Sequence, residues 1–350
     1  MKQSQAFELR KRVGNLDALF GVKDYTYNDG PAKGMRAFDL NNGRGVNMTV
    51  LADRGLDIAF LTYKGVNMGF ASKSGLSAPA FYVEDGVRGF LKQFGAGLMT
   101  TCGITYSGAP CEDGGRKLGL HGPYSNTPAR YAAARTVYEG DEAVLEVTGE
   151  VREACMFGEN MRLDRVMKLR TESDAIELTD RVANLGFEAQ PVMLTYHINF
   201  GYPMLDAGAK VYSNADAVTP RDEWARSGPG MWSEMESPEI GRAEQCYFHE
   251  GHQSGEGFAM LHNEALGLAA IVSFDAEALP LLCEWKCMMA GDYALGLEPT
   301  TAGVLGRAHA RSIGKLPTLA PGEEKEYRVS IRFTDDASVI AAFARRAARS

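Results

Sequence analysis

Glycine punctuates this chain so evenly that long uninterrupted elements are excluded over most of its length. There are 39 glycines in 350 residues, and the runs between them have the length of one or two β-strands. The clearest runs are VNMTVLADRGLDIAFLTYKG (46–65), EAVLEVTGEV (142–151), RLDRVMKLRTESDAIELTDRVANLG (162–186), PVMLTYHINFG (191–201), LGLAAIVSF (266–274) and EYRVSIRF (326–333). All are rich in alternating or β-branched residues. Helical pattern is confined to GVRGFLKQF (86–94) and the tail 335–350, which opens on an Asp/Ser cap signal and ends in arginines suited to a helix C-terminus. LAPGEEKEYRVSIRF (319–333) joins a Pro-Gly turn, a charged edge and an alternating strand, as the closing strand of a sheet does. No Pro/Ser-rich linker, low-complexity block or fixed-period repeat divides the chain. The expectation is therefore an all-β fold, a large two-sheet β-sandwich with few short helices. It forms a single domain over 1–350, with 1–34 as an N-terminal extension and 335–350 as a C-terminal helix.

Charge narrows the partners. The chain carries 37 basic and 45 acidic residues, a net charge of −8, which opposes long-range attraction to nucleic acid or anionic lipid. The first twenty residues mix charges and lack both an apolar core and a small-residue cleavage site, so no secretion signal is read and a cytoplasmic location is expected. The most apolar stretch, 266–274, falls far short of the roughly 20 residues that span a bilayer, so no membrane partner is expected. Of the six cysteines, only Cys283 and Cys287 are close together, with no second pair to complete a zinc site. Buried free thiols are expected, without disulfides.

The residues that can carry chemistry are few. Only six histidines occur. His121, in KLGLHGPYSN, has Gly119, Gly122 and Pro123 around it, a tight turn on which a ring can face a cleft; a loop histidine without a role is the competing reading. His197, in PVMLTYHINFG, lies at the end of an apolar strand and is either a core histidine or one that points into a cavity. His249 and His252 flank Glu250 and invite a metal reading, but no regular element is evident to hold their spacing. Glu298, in GDYALGLEPTTAG, ends an apolar run before a proline, where burial would raise its pKa toward general-base territory; a structural carboxylate is the alternative. Asp53 and Arg54 form either a clamp for sugar hydroxyls or a turn pair.

In their order and spacing, HG at 121–122, TYHINFG at 195–201 and LGLEP at 295–299 resemble the three catalytic segments of the aldose 1-epimerases, the galactose mutarotase-like proteins. The likeness runs from about residue 35 to 335, with 319–333 resembling their last strand. The surroundings of His197 and Glu298 depart from those of galactose mutarotase itself, so the chain is identified as a divergent branch. The resemblance implies a β-supersandwich and a cofactor-independent enzyme that interconverts sugar anomers. It also implies roles: Glu298 takes the anomeric hydroxyl proton, His197 protonates the ring oxygen, and His121 donates a hydrogen bond to the sugar. Neither metal nor organic cofactor is required by such chemistry, because burial and mutual charge can set a carboxylate and a histidine to opposite duties.

Arg54, Asn199, Trp285 and Lys286 are the candidate substrate-binding residues, since they lie in or beside segments that should line the cleft. Trp285 followed by Lys286 makes a sugar-ring platform or a piece of core, and Arg54 can fork onto an acidic sugar or pair with Asp53 or Asp57. Two other readings keep the fold. In one, His121, His197 and Glu298 hold a divalent metal for sugar isomerisation or carbon epimerisation. In the other, the sandwich binds carbohydrate without catalysis. The partner expected in each case is a small-molecule sugar, and a homodimer stays open.

Overall fold

A computed structural model describes residues 5–252 and 255–348. Its strands assemble, as expected, into two large antiparallel sheets. Among the described residues, the first has eleven strands. Its main path runs Gly21–Thr26, Arg36–Asn41, Val46–Leu51, Asp57–Tyr63, Met99–Cys102, Thr195–Phe200, Asp292–Thr300, Leu281–Met289, Gln245–His252 and Ala215–Pro220. The second has eight, in the order Arg130–Glu139, Glu142–Ala154, Asn160–Arg170, Ala175–Asn184, Glu324–Thr334, Leu268–Asp275, Glu256–Asn263 and Lys210–Ser213. Both sheets are therefore stitched from early and late parts of the sequence. Strand Gly21–Thr26, inside the expected N-terminal extension, pairs along its whole length with Arg36–Asn41.

The alternation that marked the strands also orients them. In Asn160–Arg170 every second residue is buried, so Met161, Leu163, Met167 and Leu169 face the first sheet. They meet Tyr196, Ile198, Phe200, Leu295 and Leu297 of that sheet in one contiguous core. Strand Thr195–Phe200 is buried on both faces. Its inner face meets the core, and its outer face lies beneath the segment that carries helix Val87–Gln93, within the 86–94 stretch expected to be helical. The tail forms helix Ala337–Ala347, opened by the Asp336 side chain accepting from the Ser338 amide. The six cysteines are free. Among the described residues, no helix is long and apolar enough to cross a membrane, which says nothing of a β-barrel.

Candidate functional site

The site is built on three neighbouring strands and one loop. Ile198 pairs with Leu297 and Thr195 with Thr300, so His197 and Glu298 sit opposite each other inside that register and on the outer face of the sheet. His197 Nε2 lies 3.2 Å from Glu298 Oε1. On the other side Glu298 is paired with Cys283, and Gly296 with Trp285. A Cβ on Gly296 would come within 2.5 Å of Glu298 Oε1, so the glycine leaves the space into which the carboxyl folds. His121 reaches the same place from the loop after the hairpin Cys111–Asp113/Arg116–Leu118. Its backbone has φ +60° and Gly122 follows at φ +75°; a Cβ on Gly122 would strike the carbonyl oxygen of Tyr106 at 2.4 Å. The tight turn read around His121 is thus a real constraint.

Aromatic rings close the site. His121 and His197 lie 5.5 Å apart between ring centroids, His197 and Trp285 5.5 Å. Phe90 and Phe94, from the helix Val87–Gln93 and its C-terminal end, pack on His121 at 5.2 Å and on His197 at 5.3 Å. Inside this enclosure three polar atoms are buried without any hydrogen-bond partner, His121 Nδ1, His197 Nδ1 and Asn199 Oδ1, and Glu298 Oε1 has only its 3.2 Å contact with His197 Nε2. Buried polar groups are almost always satisfied, so such a concentration marks a place built to receive hydrogen bonds from something else.

Burial also sets the charges. It pushes the Glu298 carboxyl well above the ordinary carboxylate range, with the negative charge of Glu244 adding to it. It brings His121 down to about 4 and, helped by the neighbouring His121, brings His197 down to about 3. Burial therefore favours the neutral forms of both the Glu298 carboxyl and the two imidazoles. Among the described residues no three His, Cys, Asp or Glu side chains are grouped so as to hold a metal ion. His249 and His252 are engaged elsewhere, His249 with Glu284 at 3.0 Å and His252 with Asn214 at 3.0 Å.

The four expected substrate-binding residues divide. Trp285 and Asn199 share the outer face with His197; Asn199 Nδ2 is tied to the His197 carbonyl at 2.9 Å while its oxygen stays free. Lys286 does not join them. Alternate residues of a strand face opposite ways, and Lys286 points inward, where its ammonium meets the carbonyls of Met231 and Glu234, each at 2.6 Å, and Glu236 at 2.7 Å. Arg54 is also spent. Its guanidinium donates to the carbonyls of Ser77 and Gln93 and to the Asn126 side chain at 2.9–3.0 Å, stapling the segment over the site to the turn Tyr124–Asn126. Sequence reasoning missed Phe90, Phe94 and Glu244. Glu244 accepts from Trp285 Nε1 at 2.6 Å and from Arg221 at 3.1 Å, at the edge of the enclosure. A separate cavity of about 630 Å³ opens between the loops 277–281 and 301–317, and none of His121, His197 or Glu298 lines it.

A protein-family model described as a domain of unknown function, DUF4432, matches residues 32–333. The chain belongs to this family. No curated protein matches it. Among solved structures, the DUF4432 chain is similar to a Klebsiella pneumoniae protein described provisionally as an aldose 1-epimerase, with 23% identity and a TM-score of 0.88 over 96% of this chain and 90% of that one. It is similar to a galactose mutarotase-like protein from Clostridium acetobutylicum, at 14% identity and a TM-score of 0.62 over 91% and 99%. A galactose 1-epimerase from Lactobacillus acidophilus follows at 15% and 0.58 over 90% and 99%. At these identities the likeness gives the DUF4432 chain its fold, the mutarotase-like sandwich.

Proposed function

We propose that this DUF4432 protein is a mutarotase-type isomerase that interconverts the anomers of a sugar by opening and reclosing its ring. The observation that carries the reading is a Glu298–His197 contact of 3.2 Å with His121 Nδ1, His197 Nδ1 and Asn199 Oδ1 buried around it without hydrogen-bond partners, beside the half-buried ring of Trp285. A polyhydroxylated ligand supplies hydrogen bonds to these atoms, and its C–H face suits the indole. The neighbours described as an aldose 1-epimerase and a galactose 1-epimerase agree with this reading.

The acid–base arithmetic closes. In this reading the pair shares one mobile proton, which burial biases toward the Glu298 carboxyl. Sugar hydroxyls that donate to the Glu298 carboxylate stabilise it, so that the proton moves to His197. Glu298 then removes the proton of the anomeric hydroxyl while His197 protonates the ring oxygen, and the C1–ring oxygen bond breaks to leave an aldehyde. Rotation about C1–C2 and the reverse transfers give the other anomer and restore both residues. His121 donates a hydrogen bond near the reacting centre. Anomer exchange, measured by saturation-transfer NMR across neutral, acidic and sulfonated sugars with chelator present, tests this. We expect chelator-resistant acceleration that falls by at least about 100-fold in Glu298→Gln, the scale of general acid–base catalysis. Acceleration abolished by chelator would favour the metal-dependent reading, and binding without acceleration would favour a carbohydrate-binding protein.

A further inference from the structure

We infer that Glu153, which lies in the opposite sheet and touches no other group of the site, is the positioning residue that fixes His121. The inference rests on the anomer-exchange reading only for its kinetic consequence. Strand Glu142–Ala154 sends Leu145, Val147 and Val151 into the core, and the same alternation sends Glu153 inward, where it is buried. An apolar residue is expected at such a position. A carboxyl there is costly to bury, burial raises its pKa, and Arg116, the guanidinium nearby, forks onto Glu159 instead at 2.8 Å.

What Glu153 obtains is a loop. Its Oε2 accepts from the amides of Ile104 at 2.7 Å and Thr105 at 2.9 Å, and its Oε1 accepts from the Thr105 hydroxyl. That loop holds His121 at both of its backbone groups. The His121 amide donates to the Gly108 carbonyl at 2.9 Å, and its carbonyl accepts from the Gly103 amide at 3.2 Å. Tyr124, three residues on, donates to the Gly103 carbonyl. His121 has a left-handed backbone conformation, φ +60°, which a non-glycine residue keeps only where its surroundings impose it. Glu153 therefore acts at one remove: it sets residues 103–105, and these with Gly108 set the ring of His121 against His197.

The test uses Glu153→Gln, which keeps the shape but offers one acceptor oxygen in place of two, and Thr105→Val, which removes only the hydroxyl donor. Histidine-labelled protein is followed by NMR, together with anomer-exchange kinetics. We expect the His121 imidazole signals to shift or broaden in both variants while those of His262, on strand Glu256–Asn263 at the far side of the eight-stranded sheet, stay in place. We expect kcat to fall by up to about 100-fold, as for a catalytic group displaced by an ångström, with KM changed less than about threefold. Should Glu153→Gln not fold, Thr105→Val decides alone. Unaltered His121 signals in a folded variant overturn the inference whatever the kinetics. Absence of anomer exchange in the wild type, with His121 still displaced in the variants, would remove the proposed function and leave Glu153's role standing.

Discussion

Glu298 is kept in a setting that opposes its own ionisation, and this has a measurable cost. Its folded pKa lies well above the ordinary value of 4.5 because it is buried. Between 4.5 and that raised value the folded chain holds a proton that the unfolded chain has lost. The group's stabilising contribution is thus complete below 4.5 and is lost as pH rises through the folded value. Glu298→Gln keeps the neutral shape and cannot ionise. We expect this inactive variant to melt above the wild type at about pH 8, with the gap closing toward pH 4.5. Thermal melts across pH decide, and a gap that is constant with pH would show that ionisation of Glu298 is not the cause. The histidines work in the other direction. His121 at about 4 and His197 at about 3 are below their unfolded value, so the unfolded chain gains protons first and stability declines as pH falls from 6.5.

Strand Leu281–Met289 shows how an element distributes such residues. Cys283 and Trp285 face the site, while Glu284 and Lys286 face inward, and both of the latter are fully buried. Lys286 anchors the stretch from Met231 to Glu236 by three contacts of 2.6–2.7 Å. Lys286→Met should cost about 3 kcal/mol, the lower end for a broken buried pair, since Glu236 keeps some access to water. Because the Trp285 face is untouched, the KM for anomer exchange should hold; denaturant titration and kinetics check the two halves. The same strand explains where sequence reasoning stopped. Strand identity was legible because β-branched and alternating residues lie between glycine breaks, and His121, His197 and Glu298 were legible because short distinctive segments surround them. The phase of CEWKCMM was not. Both faces of that strand are buried, so no alternation of apolar and polar residues tells which side Trp285 or Lys286 takes. Arg54 misled for a related reason: beside Asp53 it reads as half of an ion pair, whereas its partners are backbone carbonyls and side chains from 77, 93 and 126, and only the tertiary fold brings these together. Glu244 and Glu153 carry no local mark among 45 acidic residues.

At the scale of the molecule, the two sheets are joined by more than apolar contact. Arg165 of the eight-stranded sheet is fully buried and forks onto Asp180 of its own sheet at 2.7 and 2.9 Å. Across the interior it meets Asp57 at 3.4 Å, the Thr101 hydroxyl at 3.0 Å and the Gly55 carbonyl at 3.2 Å. Tyr196, next to His197, donates to Asp180 at 2.8 Å. Asp180, held by this guanidinium, thus ties the strand of the site to the facing sheet. Asp57 is already pushed up to about 7 by burial, against the pull of Arg165. Arg165→Met leaves two carboxyl groups buried without their cation, and we expect a loss of about 3–5 kcal/mol at neutral pH. Since the folded pKa of Asp57, already above its unfolded value, would lose the lowering pull of Arg165, the loss should shrink as pH falls toward 4. Adding Asp180→Asn to Arg165→Met removes one of the buried charges, so the double variant should regain part of the lost stability. Urea unfolding of the three proteins at pH 5 and 7.5 settles the matter. If the double variant is no more stable than Arg165→Met at either pH, stranded charge is not the origin of the loss, and the hydrogen bonds to Thr101 and Gly55 must account for it instead.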